Sequence, residues 1–208
     1  MADERPPAPT MIVAPPARQR SMVGRAVAIL IILGLIVALP LATTRGCEDN
    51  KVDATVQVVR IGGETFHLEV AAKNAVRMKG LGQRDHIEPD GGMLFVFARP
   101  YAAEDGGFVM RDCTIPIDII FLDSSGRIDP QFGTMRPVAP RGPDEGQPGD
   151  FNNAKYEERI GKSKFGPRYA YQFAIELKGG TIESKLKGKI KAGDKVDMPI
   201  EALKRRAE

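Results

Sequence analysis

Beyond residue 54 the chain alternates apolar and polar positions with a period of two, the pattern of half-buried strands. Thr55 to Ile61 (TVQVVRI) and Glu64 to Ala71 (ETFHLEVA) flank Gly62-Gly63, which predicts a β-hairpin with a two-residue turn. Within it Phe66, Leu68 and Val70 alternate with His67 and Glu69, so one face is buried and the other wet. Lys73 to Leu81 lacks Gly and Pro until Gly80 and suits a short helix. Met93 to Phe97 (MLFVF) and Ile115 to Leu122 (IPIDIIFL) are apolar runs, and Asp123-Ser-Ser-Gly126 is a turn. Tyr171, Phe173, Ile175 and Leu177 alternate with Gln172, Ala174 and Glu176, which predicts another half-buried strand. Thr181 to Lys187 suits one or two helical turns, and Lys195 to Pro199 a last short strand. Many short strands with little helix predict a mainly β fold, a compact antiparallel β-barrel or sandwich with one or two short helices.

One segment breaks the alternation. Ala26 to Thr44 (AVAILIILGLIVALPLATT) carries no charge and is apolar on every side, spanning about 28 Å as a helix against the ~30 Å bilayer core. Arg18, Arg20 and Arg25 precede it, while Arg45 and Lys51 beyond it are diluted by Glu48 and Asp49. The basic bias predicts a single N-terminal transmembrane helix, a signal anchor with the chain's bulk outside the cytoplasm. Pro40 and the small residues Ala42, Thr43 and Thr44 also suit a cleaved leader and secretion, and lipidation of Cys47 is a third option, against which Arg45 interrupts the small residues before it. The expected organisation is a disordered cytoplasmic tail over 1–25, the anchor over 26–44, a tether over 45–54, an extracytoplasmic β-domain over 55–202 and a C-terminal tail over 203–208. Seven of the thirteen residues from Pro137 to Gly149 are Pro or Gly, so 136–166 reads as a mobile loop insertion dispensable for folding.

Composition narrows the function. Thirty Lys and Arg against 27 Asp and Glu leave a net charge of +3, which argues against a nucleic-acid partner. Two cysteines and two histidines make neither a disulfide scaffold nor a multi-His metal site, so no metal and no cofactor are expected. There is no phosphate loop, nucleophile elbow or H-E-x-x-H. Lys185, Lys187, Lys189 and Lys191 alternate along KLKGKIK; they could meet an anionic surface, yet Glu183, Asp194 and Asp197 around them favour a solvated face.

Several motifs, in one order, resemble those of the domain-of-unknown-function family 192, uncharacterised bacterial and archaeal proteins. They are ETFHLEVA, V-R-M-K-G-L-G-Q-R (Val76 to Arg84), G-M-L-F-V-F (Gly92 to Phe97), F-V-M-R-D-C-T-I-P-I-D-I-I-F (Phe108 to Phe121), and the late stretches Tyr171–Gly179 and Ile190–Val196. The resemblance spans about residues 54 to 200 and implies a small, mainly antiparallel β-domain behind a signal or anchor. It implies no established reaction. Val109 stands where the family usually has Trp, and Gly82 where it usually has Met.

Cys113 with His67 or His86 would make a Cys–His nucleophile; the family usually has Thr at that position, which favours a small buried residue instead. The polar candidates are Arg77, Arg84, Arg111, Asp112 and Asp118, all in the two central matched stretches. Arginines beside an acid hold the carboxylate or phosphate of a ligand, or else form an internal ion pair. Asp118, the lone acid of an apolar strand, is expected to be buried and paired with Arg84 or, second, Arg111. The leading expectation is a non-enzymatic, membrane-anchored module binding a small ligand or an envelope protein. An envelope hydrolase using Asp112 or Asp118 with an arginine, and a structural accessory subunit, are the alternatives. A concave pocket holding an acid of raised pKa would favour an enzyme; an exposed apolar patch without a pocket would favour the accessory role.

Overall fold

The computed structural model of the chain describes residues 56–207. The expected tail (1–25), anchor (Ala26–Thr44) and tether (45–54) lie outside the described residues. Six strands form one sheet: β1 (Val56–Ile61), β2 (Glu64–Ala71), β3 (Gly91–Tyr101), β4 (Ile117–Leu122), β5 (Ile128–Met135) and β6 (Tyr171–Lys178). Three short helices accompany them, α1 (Asn74–Lys79), α2 (Ala154–Gly161) and α3 (Ile200–Lys204), with a π-helical turn at Ile182–Leu186. Gly62 and Gly63 both take positive φ, 57° and 86°, the backbone a tight two-residue hairpin turn needs and other residues resist.

The spatial order is β1-β2-β3-β6-β4-β5. Every neighbouring pair is antiparallel except β2 and β3, which run parallel. That corrects the all-antiparallel expectation. A parallel pair needs a connection that carries the chain back to its starting end, and residues 72–90, with α1 among them, supply it. The barrel expectation is corrected too, because the sheet stays open. Arg60 and Asp197 exchange backbone hydrogen bonds of 3.1 and 3.0 Å beside β1, and the Val196 amide reaches Gly126 O at 3.0 Å beside β5. The last strand expected at Lys195–Pro199 is reduced to such isolated bridges, too few to zip the two edges together.

Both faces of the sheet are covered. On one side Phe66, Leu68, Leu94, Ile120, Phe173 and Ile175 pack beneath Leu186, Val196 and Leu203. Leu203 is fully buried, so the expected C-terminal tail begins later than 203. On the other side Phe95, Ile119, Phe121 and Ala174 pack beneath Leu81, Ile87 and Met110. Gln172 and Glu176, expected on a wet face of β6, are therefore buried at 5% exposure. Being the strand between β3 and β4, β6 has a layer above and a layer below.

Residues 136–166 are also not the loose insertion expected. They contain α2, whose Tyr156 and Ile160 are buried. Asn153 caps this helix by accepting from the Tyr156 amide at 3.0 Å, which satisfies one of the free N–H groups of its first turn.

Candidate functional site

On the face covered by Leu81 and Met110, a cavity of about 330 Å³ opens between the end of α1, residues 105–113, β3 and β6. Its walls include Phe95, Phe97, Phe108 and Tyr171. Phe95 meets Phe108 edge to face with ring centres 4.8 Å apart, and Phe97 meets Tyr171 likewise at 5.4 Å. Such pairs favour this geometry because ring edges are positive and faces negative. They fix the shape of the wall.

Glu176 stands in this wall, opposite Met93 of β3 and Ile119 of β4 in the sheet register. Its Oε2 is buried and has no hydrogen-bond partner among the described residues. A Cβ added at Gly80, the residue closing α1, would lie 3.7 Å from that oxygen. Burial drives the Glu176 carboxyl up to about 8, and neither the hydrogen bond from the Leu81 amide nor the field of Arg84 offsets it. Losing water disfavours the charged form, so the group is a neutral acid at pH 7. Its neighbour Cys113 is held as a thiol: burial first, then Asp112 and, at the high pH where it too is ionised, Glu176, push it up to about 12. A thiol so far from ionising is a poor nucleophile. His67 instead pairs with Asp90 at 3.1 Å and His86 with Glu88 at 3.3 Å, all four half-exposed or more.

Two arginines, Arg77 and Arg111, line the cavity, and a third, Arg84, stands near it; each is engaged. Arg77 donates to the carbonyls of Ala72 and Val96, the second at 3.0 Å, and lies 5.3 Å from the Phe97 ring centre. Arg111 forms a two-point pair with Glu157 of α2, Nε to Oε1 at 2.9 Å. Arg84 does the same with Glu69 of β2 at 2.5 and 2.7 Å. That fork, ahead of the opposing effect of burial, holds Glu69 below the usual carboxylate range.

Asp112 lies outside this cavity, and its φ of 51° is left-handed. Its carboxylate accepts from Arg141 Nε at 2.7 Å, Arg141 Nη2 at 3.0 Å and the Gly149 amide at 2.9 Å. Burial by itself would raise this group; the Arg141 fork, the Gly149 amide and Tyr156 bring it below its ordinary value. The Arg141 guanidinium stacks 3.6 Å from the centre of the Tyr156 ring, and Arg159 on α2 grips Glu145 at 2.7 Å through both of its oxygens. Asp112 thus anchors 136–166 to the domain. Here a second cavity of about 560 Å³ is lined mainly by Met110, Pro137, Val138, Pro140, Pro148 and Tyr156.

Asp118 faces the other way. It is fully buried, as expected, but its partners are Thr134 Oγ1 at 2.5 Å and the Ile182 amide at 2.6 Å. Neither Arg84 nor Arg111 reaches it, because both lie on the opposite side of the sheet. Asp118 ties the π-helical turn to β4 and β5, and the expected arginine pair is corrected.

Of the five polar candidates, then, only Arg77 and Arg111 share the aromatic cavity; Arg84 stands beside it, Asp112 holds the insertion, and Asp118 is scaffold. Glu176, the central group, is not among the five because period-two alternation places it on a wet face. One signal was available: an ionisable residue inside the run Y-Q-F-A-I-E-L-K, whose other strand positions are mostly apolar. Among the described residues no group of three or more His, Cys, Asp or Glu is placed to hold a metal ion.

Residues 57–198 match the family described as domain of unknown function 192, "Uncharacterized ACR". The chain belongs to this family. No curated protein matches it. Among solved structures it is similar to a putative transcription regulator from Sinorhizobium meliloti 1021, at 22% identity and a TM-score of 0.45, over 70% of this chain and 92% of that one. It is also similar to a protein of unknown function from Novosphingobium aromaticivorans DSM 12444, at 23% identity and a TM-score of 0.44, over 68% and 82%. The two departures from the family pattern have different settings. Gly82 is buried where a Cβ would sit 2.9 Å from Arg111 O and 3.0 Å from Lys79 O, so a side chain there needs the backbone to move. Val109 lines the aromatic cavity, and a Trp in its place would take up cavity space.

Proposed function

We propose that this protein is a membrane-anchored, extracytoplasmic member of the family that binds a small ligand in the aromatic cavity beside Glu176. The observation that carries the reading is the buried, unpartnered Oε2 of Glu176 in a cavity wall. Buried polar atoms in native proteins nearly always have partners, and an orphan in a pocket calls for one from outside. About 330 Å³ sits at the small end of ligand pockets. Full-length protein incubated with a small-molecule extract of cell envelope, recovered and denatured, should release a compound that mass spectrometry detects. Val109→Trp, which takes up cavity space, should release much less of it. Equal recovery from both proteins, or from neither, would overturn the reading.

The anchor rests on the uncharged stretch Ala26–Thr44 and the arginines before it. Among the described residues no helix is long and apolar enough to cross a membrane. Protease added to intact spheroplasts should trim the β-domain and spare an N-terminal tag; a protected domain would reverse the orientation, and release of a tag-free soluble form would mean cleavage.

A second reading, an enzyme using Glu176 as general acid, is favoured by one observation: burial holds that carboxyl near neutrality, up to about 8, where proton transfer in both directions is easiest. The hydrolase built on Asp112 or Asp118 loses its support, since both acids are committed to structural partners. Glu176→Gln separates these two readings. A binding module keeps its ligand with Gln there, whereas an acid catalyst keeps the ligand and loses turnover.

A further inference from the structure

Resting on the ligand-binding reading, we propose that the occupant of the aromatic cavity is a small ring-bearing molecule, neutral or anionic, that places a carbonyl or carboxylate oxygen against Glu176 Oε2. Three features of the cavity converge on that chemistry. The first is the polarity of the buried group. The Leu81 amide donates to the Glu176 carboxyl, so one oxygen is already serving as acceptor. The acidic proton then belongs on Oε2, the oxygen without a partner. An O–H aimed into an apolar space asks for an acceptor, and a carbonyl or carboxylate oxygen meets it with a short, strong hydrogen bond.

The second feature is the wall. Phe95, Phe97, Phe108 and Tyr171 present ring surface to the cavity, and a flat or cyclic body buries apolar area against rings at little cost in conformational freedom. The third is the sign of charge at the rim. Aromatic walls with a carboxyl group also suit a cationic amine, and aromatic cages for quaternary ammonium are a general device. Here the cavity is lined by Arg77, Lys79 and Arg111; Glu157 matches Arg111, and Arg77 and Lys79 stand against the single additional acid Asp105. Arg77 already occupies the neighbourhood of the Phe97 ring face, 5.3 Å from its centre. An incoming cation would meet like charge in the lining and a protonated acid beside it, whereas a neutral or anionic ring meets neither obstacle.

The test uses the full-length protein in detergent micelles, labelled with fluorophenylalanine, with the Phe97 and Phe108 resonances assigned by substitution. Acetophenone and benzoate are the acceptor-bearing probes, and benzyltrimethylammonium is the cationic probe of similar size. The acceptor-bearing probes should shift both resonances saturably and the cation should not. Glu176→Ala should weaken their binding by about tenfold or more, the consequence of losing one buried hydrogen bond. Glu176→Gln, which keeps a donor at that place, should stay within about threefold of wild type. For the wild-type protein binding should weaken as pH rises past about 8, and for Glu176→Gln it should not. Saturable binding of the cation at these rings, in preference to the acceptors, overturns the ligand class and leaves the binding site standing. If no probe perturbs either ring while the envelope extract still yields a Val109-sensitive compound, the class alone is wrong; if the extract yields nothing as well, the cavity is no binding site.

Discussion

Asp118 and Asp112 are two acids six positions apart in one motif, and their surroundings give them different energetic roles. Among the described residues Asp118 has no charged hydrogen-bonding partner; it accepts from Thr134 and from the Ile182 amide. Thr134 is exposed, so its hydroxyl turns to water when the acid is removed, while the Ile182 N–H loses its acceptor. Asp118→Ala should therefore cost about 2 kcal/mol in chemical denaturation, the penalty of one stranded amide with a small cavity. Asp118→Asn, which keeps an acceptor oxygen, should cost about half as much. Asp112 is different. Arg141 and Asp112 are 5% and 7% exposed and joined at two points, and removing one member leaves a charge buried and unpaired. Arg141→Met should cost about 3–5 kcal/mol, visible as a lower denaturation midpoint at unchanged slope. A loss below about 1 kcal/mol would show that water reaches the pair.

At the scale of elements, the period-two pattern reads alike in β2 and β6 but means different things. β2 pairs with the edge strand β1, and there His67 is exposed and Glu69 half-buried, as alternation predicts. β6 lies between β3 and β4, and the same alternation hides Gln172 and Glu176. Strand position within a sheet is a property of the whole topology, which local periodicity does not carry, so the hairpin, β3, β4 and β6 were legible while the pocket acid was not. β5, α2 and α3 carry no such pattern. β5 contains Pro130 and Gly133, two weak strand formers, and α2 follows a Pro- and Gly-rich stretch that reads as irregular chain. That stretch is irregular, yet Arg141 and Glu145 within it clamp Asp112 and Arg159. Replacing Pro137–Gly149 by a short Gly/Ser linker should thus lower stability by about 3 kcal/mol or more, through the abandoned Asp112, instead of the negligible change expected of a dispensable loop. Calorimetry decides the matter, since a shift of only a degree or two would mean that 136–166 is held by other contacts.

At the scale of the whole molecule, these acids set opposite limits on stability as pH changes. Asp112 and Glu69 titrate lower in the folded chain than outside it, Asp112 because Arg141, Gly149 and Tyr156 overcome the effect of burial, Glu69 because of the Arg84 fork. Each stabilises the fold above its ordinary pKa, and that contribution fades as pH falls through the lowered value. Glu176 acts in the reverse sense. Its folded value is raised from 4.5 to about 8, so between those two pH values the unfolded chain has released a proton that the folded chain retains. Unfolding is then favoured by rising pH, and this group alone removes up to about 1.4 kcal/mol per pH unit across that window. Above about pH 8 both forms are ionised and the slope from Glu176 vanishes. The fold should therefore be most stable on the acidic side of neutrality, with a descending limb from about pH 5 to 8. Glu176→Gln removes the titrating group while keeping its shape, so it should flatten that limb and leave the acid limb of Asp112 and Glu69 untouched. Urea denaturation of the two proteins at pH 5, 6.5 and 8 measures the difference. An unchanged alkaline limb in Glu176→Gln would mean that the carboxyl is ionised in the folded protein, with a counter-charge brought to Oε2, and the acceptor-bearing ligand would lose its basis.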